Sequence, residues 1–193
     1  GLGWDHLACV VLGHARWPVE LHRVAHDHYH GICECLQQMT TAGCIRPAIV
    51  LTDEINLRTD SAVKAAFITH HPAEAHARGL IYATDRKRQP PFSTWMKTHR
   101  PDGVLLLRRE MWHEVTCNPL QELHADGRVW CANWQDDDPL RLPGIHQRYD
   151  LAARAAVDLL TGLEQSRSFG LPDHPQSIQI RGDWHDRRHF APN

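Results

Sequence analysis

Two segments, Val104-Leu105-Leu106-Leu107 and Pro47-Ala48-Ile49-Val50-Leu51, are apolar at every position. A strand with one wet face alternates apolar and polar residues. A strand apolar throughout must be covered on both faces. Such segments call for a mainly parallel sheet with helices above and below it. Further strands are expected at 8–12, ending at Gly13, and at 21–25, 80–82, 129–132 and 177–180. The intervening stretches carry helical spacing. In 29–41 the apolar residues Ile32, Cys35, Leu36 and Met39 share one face, and Gly43 stands where a helix C-terminus favours glycine. A helix is expected from Ser61, with Val63, Ala66 and Phe67 on one side, and another through Trp95 and Met96 with Ser93 as its cap. The stretch 150–163 carries an apolar stripe of Leu151, Ala155, Leu159 and Leu163. The polar, proline-bearing stretches 84–91 and 135–143 read as loops. The fold class is therefore α/β.

With 193 residues the chain suffices for one substantial domain or for two small lobes. Its formal charge of −2 gives no excess of cations to neutralise phosphates, so this stretch is not expected to contact DNA by itself. No apolar run reaches the roughly 18 residues needed to cross a membrane, and the start, Gly1-Leu2-Gly3-Trp4-Asp5, has no basic and apolar leader pattern. The six cysteines, Cys9, Cys33, Cys35, Cys44, Cys117 and Cys131, are expected as free thiols in a reducing compartment.

Catalytic patterns are weak. Sixteen histidines include the dense run His26-Asp27-His28-Tyr29-His30, but there is no His-Glu-x-x-His and no paired Cys-x-x-Cys. His70, His71, His185 and His189 offer no matching second half of a metal site. Neither a Gly-x-Ser-x-Gly elbow nor a Gly-x-x-x-x-Gly-Lys loop is present. Asp136-Asp137-Asp138 reads as a solvated acidic loop. No enzyme activity, metal or cofactor is expected.

One resemblance runs along the chain, from about Val10 to Trp184. It is carried by Val24-Ala25-His26-Asp27-His28-Tyr29-His30-Gly31, then Leu36 to Met39, Gly43 and Arg46 to Leu51. It continues through Arg100-Pro101-Asp102-Gly103-Val104-Leu105-Leu106-Leu107, the strand from Val129 to Trp134, and Pro143-Gly144-Ile145-His146-Gln147. The helix Ala152 to Leu160 and the run from Gly170-Leu171-Pro172 to Ile180 close it. In order and spacing the chain resembles the lac repressor family of transcription regulators.

That resemblance implies the type I periplasmic binding-protein-like fold, with a small effector held between two lobes. It implies one effector-binding and dimerising domain over 1–193, mostly the C-terminal lobe, with 1–20 and 148–193 contributing to an incomplete second lobe. By the same register Asp27 and His28 end a strand at the cleft, and Gln147 lies on a segment crossing between lobes. Arg108 and Arg109 replace the family's Asn-Asp, and Asn133 and Trp134 stand where it often has two acids. An Asp that accepts sugar hydroxyls has thus become Arg109, which cannot accept. The effector is accordingly expected to be sugar-like or an anionic metabolite. The implied protein is a cytoplasmic homodimer that meets DNA only through a headpiece absent from this chain. The alternatives are a periplasmic solute-binding protein of the same fold and a metal-dependent enzyme built on His26, His28 and His30.

Overall fold

The computed structural model describes residues 3–135 and 139–186. Asp136-Asp137-Asp138 and His189 lie outside them. The chain forms two compact units: Gly1–Asp27 with Gln147–Gly182, and His28–His146 with Asp183–Asn193. It therefore passes between units three times, after Asp27, after His146 and after Gly182.

In the first unit, β1 (Val10–Leu12), β2 (His22–His26) and β8 (Ser177–Ile180) form a parallel sheet in the order β1-β2-β8. The helix α7 (Tyr149–Gln165) packs on all three strands. Its inward residues Leu151, Ala155, Leu159 and Leu163 are only half-buried, because three short strands cover little of a 17-residue helix. An apolar cavity of about 510 Å³ lies beside β1, lined by Trp4, Leu7, Val11, Trp17 and Leu160 among others.

The second unit holds the core. Its sheet runs β4 (Ile81–Ala83), β3 (Pro47–Leu51), β5 (Gly103–Leu106), β6 (Val129–Trp134), β7 (Gly144–His146), β9 (Asp183–His185). All neighbours are parallel except β7 and β9. Every residue of β3 and β5 is buried, as their uniform apolarity requires. The helices are α1 (His28–Thr41), α2 (Asp53–Arg58), α3 (Ala62–His70), α4 (Phe92–His99), α5 (Met111–Val115) and α6 (Asn118–Ala125). In α1 the buried residues are Gly31, Ile32, Cys35, Leu36 and Met39, and the helix packs against α3. Gly43 follows at φ +83°, the left-handed conformation that lets Cys44 N donate back to Met39 O at 3.0 Å.

Several boundaries differ from the sequence reading, each for a local reason. Ser93 does not cap α4. The helix begins at Phe92, and the carbonyl of Pro91 accepts from Thr94 N and Trp95 N at 3.0 Å. The strand at 129–132 runs on to Trp134, which puts Asn133 and Trp134 inside it. Residues 21–27 group with the first unit because β2 lies between β1 and β8, and 183–186 group with the second because β9 pairs with β7. All six cysteines are free thiols. Burial pushes the thiol of Cys35 well up, and that of Cys44 up to about 11.

Candidate functional site

In an open parallel sheet, ligand groups gather beyond the carboxyl ends of the strands. In the second unit that edge is formed by the residues after β3, β4, β5 and β6. The strand register levels them: Val50 pairs with Leu106, and Leu106 with Cys131. Leu107 N carries the ladder one step further by donating to Val50 O at 2.9 Å. Two residues past these pairs stand Thr52 and Arg108, just beyond β3 and β5, and Asn133, within β6.

The left part of this edge is an ion cluster that sequence reading missed. Thr52 caps α2, its hydroxyl accepting from Ile55 N at 3.1 Å. Asp85, beyond β4, accepts from Asp53 N at 2.8 Å and Glu54 N at 3.0 Å, which satisfies two more amides of that helix end. The carboxylate of Asp53 takes Lys64 Nζ and the Nε of Arg86, with Arg86 Nη2 at 2.9 Å. Chiefly through the hydrogen bond from Arg86, the carboxyl of Asp53 is held at about 2, below its ordinary value of 3.8, and Arg86 is raised in turn. Thr52-Asp53-Glu54 after an apolar strand is an N-cap signature and was the available signal.

Arg108 and Arg109 follow β5 in the turn before α5, and both are partly buried. Their fates differ. Arg109 pairs with Glu110, Nε to Oε1 at 3.4 Å. The Nε of Arg108 is buried and has no hydrogen-bond partner. Asn133 is partly buried, while Trp134 is 3% exposed and lies flat on His185, ring centroids 4.1 Å apart at 13°. His146 meets Trp134 edge-on at 5.7 Å. One face of the indole is thus already used in stacking within the unit.

The other named residues stand at the passages between units. Asp27 is the last residue of the first stretch, its amide bonded to Ile180 O at 2.9 Å, and His28 opens α1. Gln147 is the first residue after the second passage. It is buried, and its Oε1 accepts from Tyr149 Oη at 2.8 Å. So the second unit brings together Arg108, Arg109, Asn133 and Trp134 at one strand edge. Asp27 and Gln147 belong to the first unit.

The histidine run does not form a compact triad. His26 ends β2, while His28 and His30 are two apart in α1 and point to different sides of it. Among the described residues no three His, Cys, Asp or Glu side chains are grouped to hold a metal ion.

No protein-family model and no curated protein matches the chain. Solved structures do. A LacI family regulator from Enterococcus faecalis with bound ribose superposes with a TM-score of 0.62 at 11% identity, over 92% of this chain and 66% of that one. One from Enterococcus faecium, also with ribose, gives 0.58 at 13% identity over 92% and 68%. The fold is that of LacI-family effector domains. A periplasmic binding protein/LacI regulator from Alkaliphilus metalliredigens with D-xylulofuranose matches at 0.60 and 13% identity, over 92% and 68%. The chain spans about two thirds of the length of these LacI-type neighbours. Among the described residues no helix is long and apolar enough to cross a membrane.

Proposed function

We propose that this chain is the ligand-sensing part of a LacI-type transcription regulator, binding a sugar-like small molecule and acting on DNA through a headpiece outside these 193 residues. The observation that carries this reading is the carboxyl edge of the six-stranded sheet. Arg108, Arg109, Asn133 and Trp134 sit on it in a fold whose LacI-type neighbours hold ribose and xylulofuranose. His28 opens α1 of the same unit, while Asp27 and Gln147 belong to the first unit and are proposed as ligand-binding residues from the resemblance alone. The proposed role is sensing, as in the solved neighbours, which are transcription regulators. Binding would act by shifting populations, since a ligand that favours one conformation of the chain biases whatever is attached to it.

Calorimetric titration of the chain with a panel of pentoses, hexoses and their acids and phosphates tests the reading. Saturable one-site binding with Kd below about 1 mM, weakened at least tenfold by Asn133→Ala, is the expected result. A panel with no binder at 10 mM would sink it.

The same regulator would be a cytoplasmic homodimer. Eight of the eleven exposed large apolar side chains among the described residues belong to the first unit, including Leu12 at 54% and Trp17 at 53%. Exposed apolar side chains that gather into a patch mark association sites. Sedimentation at 10–100 μM is expected to show a dimer, and Trp17→Glu to shift it to monomer. A wild-type protein that remains monomeric across that range excludes dimerisation through this surface.

A further inference from the structure

We propose that the effector carries an anionic oxygen group, a carboxylate or a phosphate, and that Arg108 receives it. The inference rests on the sensing role proposed above and specifies the chemistry of that site.

The starting point is a difference between cations that share one sheet edge. Lys64 and Arg86 both end on Asp53, and Arg109 ends on Glu110. Arg108 has no acid partner among the described residues, and its Nε is shielded from solvent without an acceptor. Buried donors are partnered in nearly all native structures, and a charged one left unpartnered is the costliest case. Arg108 also holds a central place, directly beyond β5, with Thr52 just beyond β3 on one side and Asn133 within β6 on the other.

The carboxylates that follow β3, β4 and β5 have partners of their own. Both oxygens of Asp53 are held by Lys64 and Arg86, and both oxygens of Asp85 accept backbone amides. Glu110 is engaged by Arg109. An acceptor for Arg108 would therefore come from the ligand. A hydroxyl can accept one hydrogen bond but leaves the partly desolvated charge uncompensated. A carboxylate or phosphate supplies both a planar or tetrahedral set of acceptors and the missing negative charge. Asn133, on the adjacent strand, can both donate and accept, which suits the hydroxyls of the same molecule.

The test is a binding titration of the wild-type chain, Arg108→Gln, Arg108→Lys and the exposed-charge control Arg154→Gln. The probes are ribose with ribose 5-phosphate, and glucose with gluconate and glucuronate. At least one anionic probe is expected to bind ten times or more tighter than its neutral parent. Arg108→Gln should erase that preference, Arg108→Lys should retain part of it, and Arg154→Gln should retain all of it. Preference for the phosphate or for the acids identifies which oxyanion is read. Circular dichroism melts of each variant verify folding, and the Lys variant keeps the comparison valid if the Gln variant melts early. If a neutral sugar binds as well as its anionic partner, and Arg108→Gln leaves both unchanged, the charge inference is overturned while sugar sensing stands. If no probe binds, both are overturned.

Discussion

Replacing Gly144 by alanine is expected to lower stability by more than about 3 kcal/mol, the range of severe packing defects. A methyl group at this position would lie 1.8 Å from the backbone oxygen of Cys131 and 2.8 Å from its carbonyl carbon. These are main-chain atoms of β6, so no rotamer change relieves the clash. Cys131 is also the residue with which Gly144 pairs, and its amide donates to Pro143 O at 3.0 Å. Moving it breaks the join between β6 and β7. β7 in turn carries the chain to His146 and Gln147, at the second passage between units. The loss corresponds to a fall in Tm of roughly 6–12 °C for a chain of this size. The comparison variant is Gly162→Ala, on the exposed side of α7 with nothing within 4 Å of the added carbon. It should gain about 0.5–1 kcal/mol through helix propensity. Melting curves of the two variants moving in the same direction would refute this account of Gly144.

Nothing in the sequence around Gly144 announces that contact, and the reason is general. Strand identity is written locally, whereas close approach depends on which strands become neighbours. β3 and β5 were legible because full burial leaves no polar residue in them. β7 and β9, three residues each, were not legible as strands. Asp183-Trp184-His185 has no periodicity long enough to read and becomes a strand only by pairing with β7. α2 and α5, of six and five residues, are too brief for an apolar stripe to stand out, and α6 buries only Leu120. The candidate site divides in the same way. That an arginine follows β5 is visible in the chain. Which of Arg108 and Arg109 meets an acid depends on the turn into α5, and that turn gives Glu110 to Arg109. That Trp134 follows the strand at 129–132 is visible in the chain, but that His185 lies on its ring is not.

Asp102 provides the second large effect, at the opposite end of the sheet from the candidate site. The pattern Pro101-Asp102-Gly103 was legible as the entry to the strongest strand, and the structure shows what its carboxylate does. Oδ2 accepts from Ile45 N at 2.7 Å and Oδ1 from Arg46 N at 2.8 Å, which clamps the entry of β3 to the entry of β5. The backbone oxygen of Asp102 accepts from Arg128 Nη1 at 3.1 Å, and Arg46 reaches the carbonyl of His99 at 2.8 Å. Asp102→Ala leaves two amides without their ionised acceptor, and each such bond is worth about 1.5–3 kcal/mol. A net loss of about 3 kcal/mol is expected, with Tm falling by roughly 6–12 °C. Asp102→Asn keeps one carbonyl oxygen but turns a donor toward the second amide, so it should recover less than half of the loss. Because the clamp lies away from the carboxyl edge, effector affinity at a temperature where the variant is folded should stay within about twofold of wild type. Urea denaturation and calorimetric titration of the same samples separate the two quantities. A variant that melts within 1 °C of wild type would mean that solvent replaces the carboxylate at no cost. A folded variant with binding reduced tenfold would mean that the two ends of the sheet are coupled.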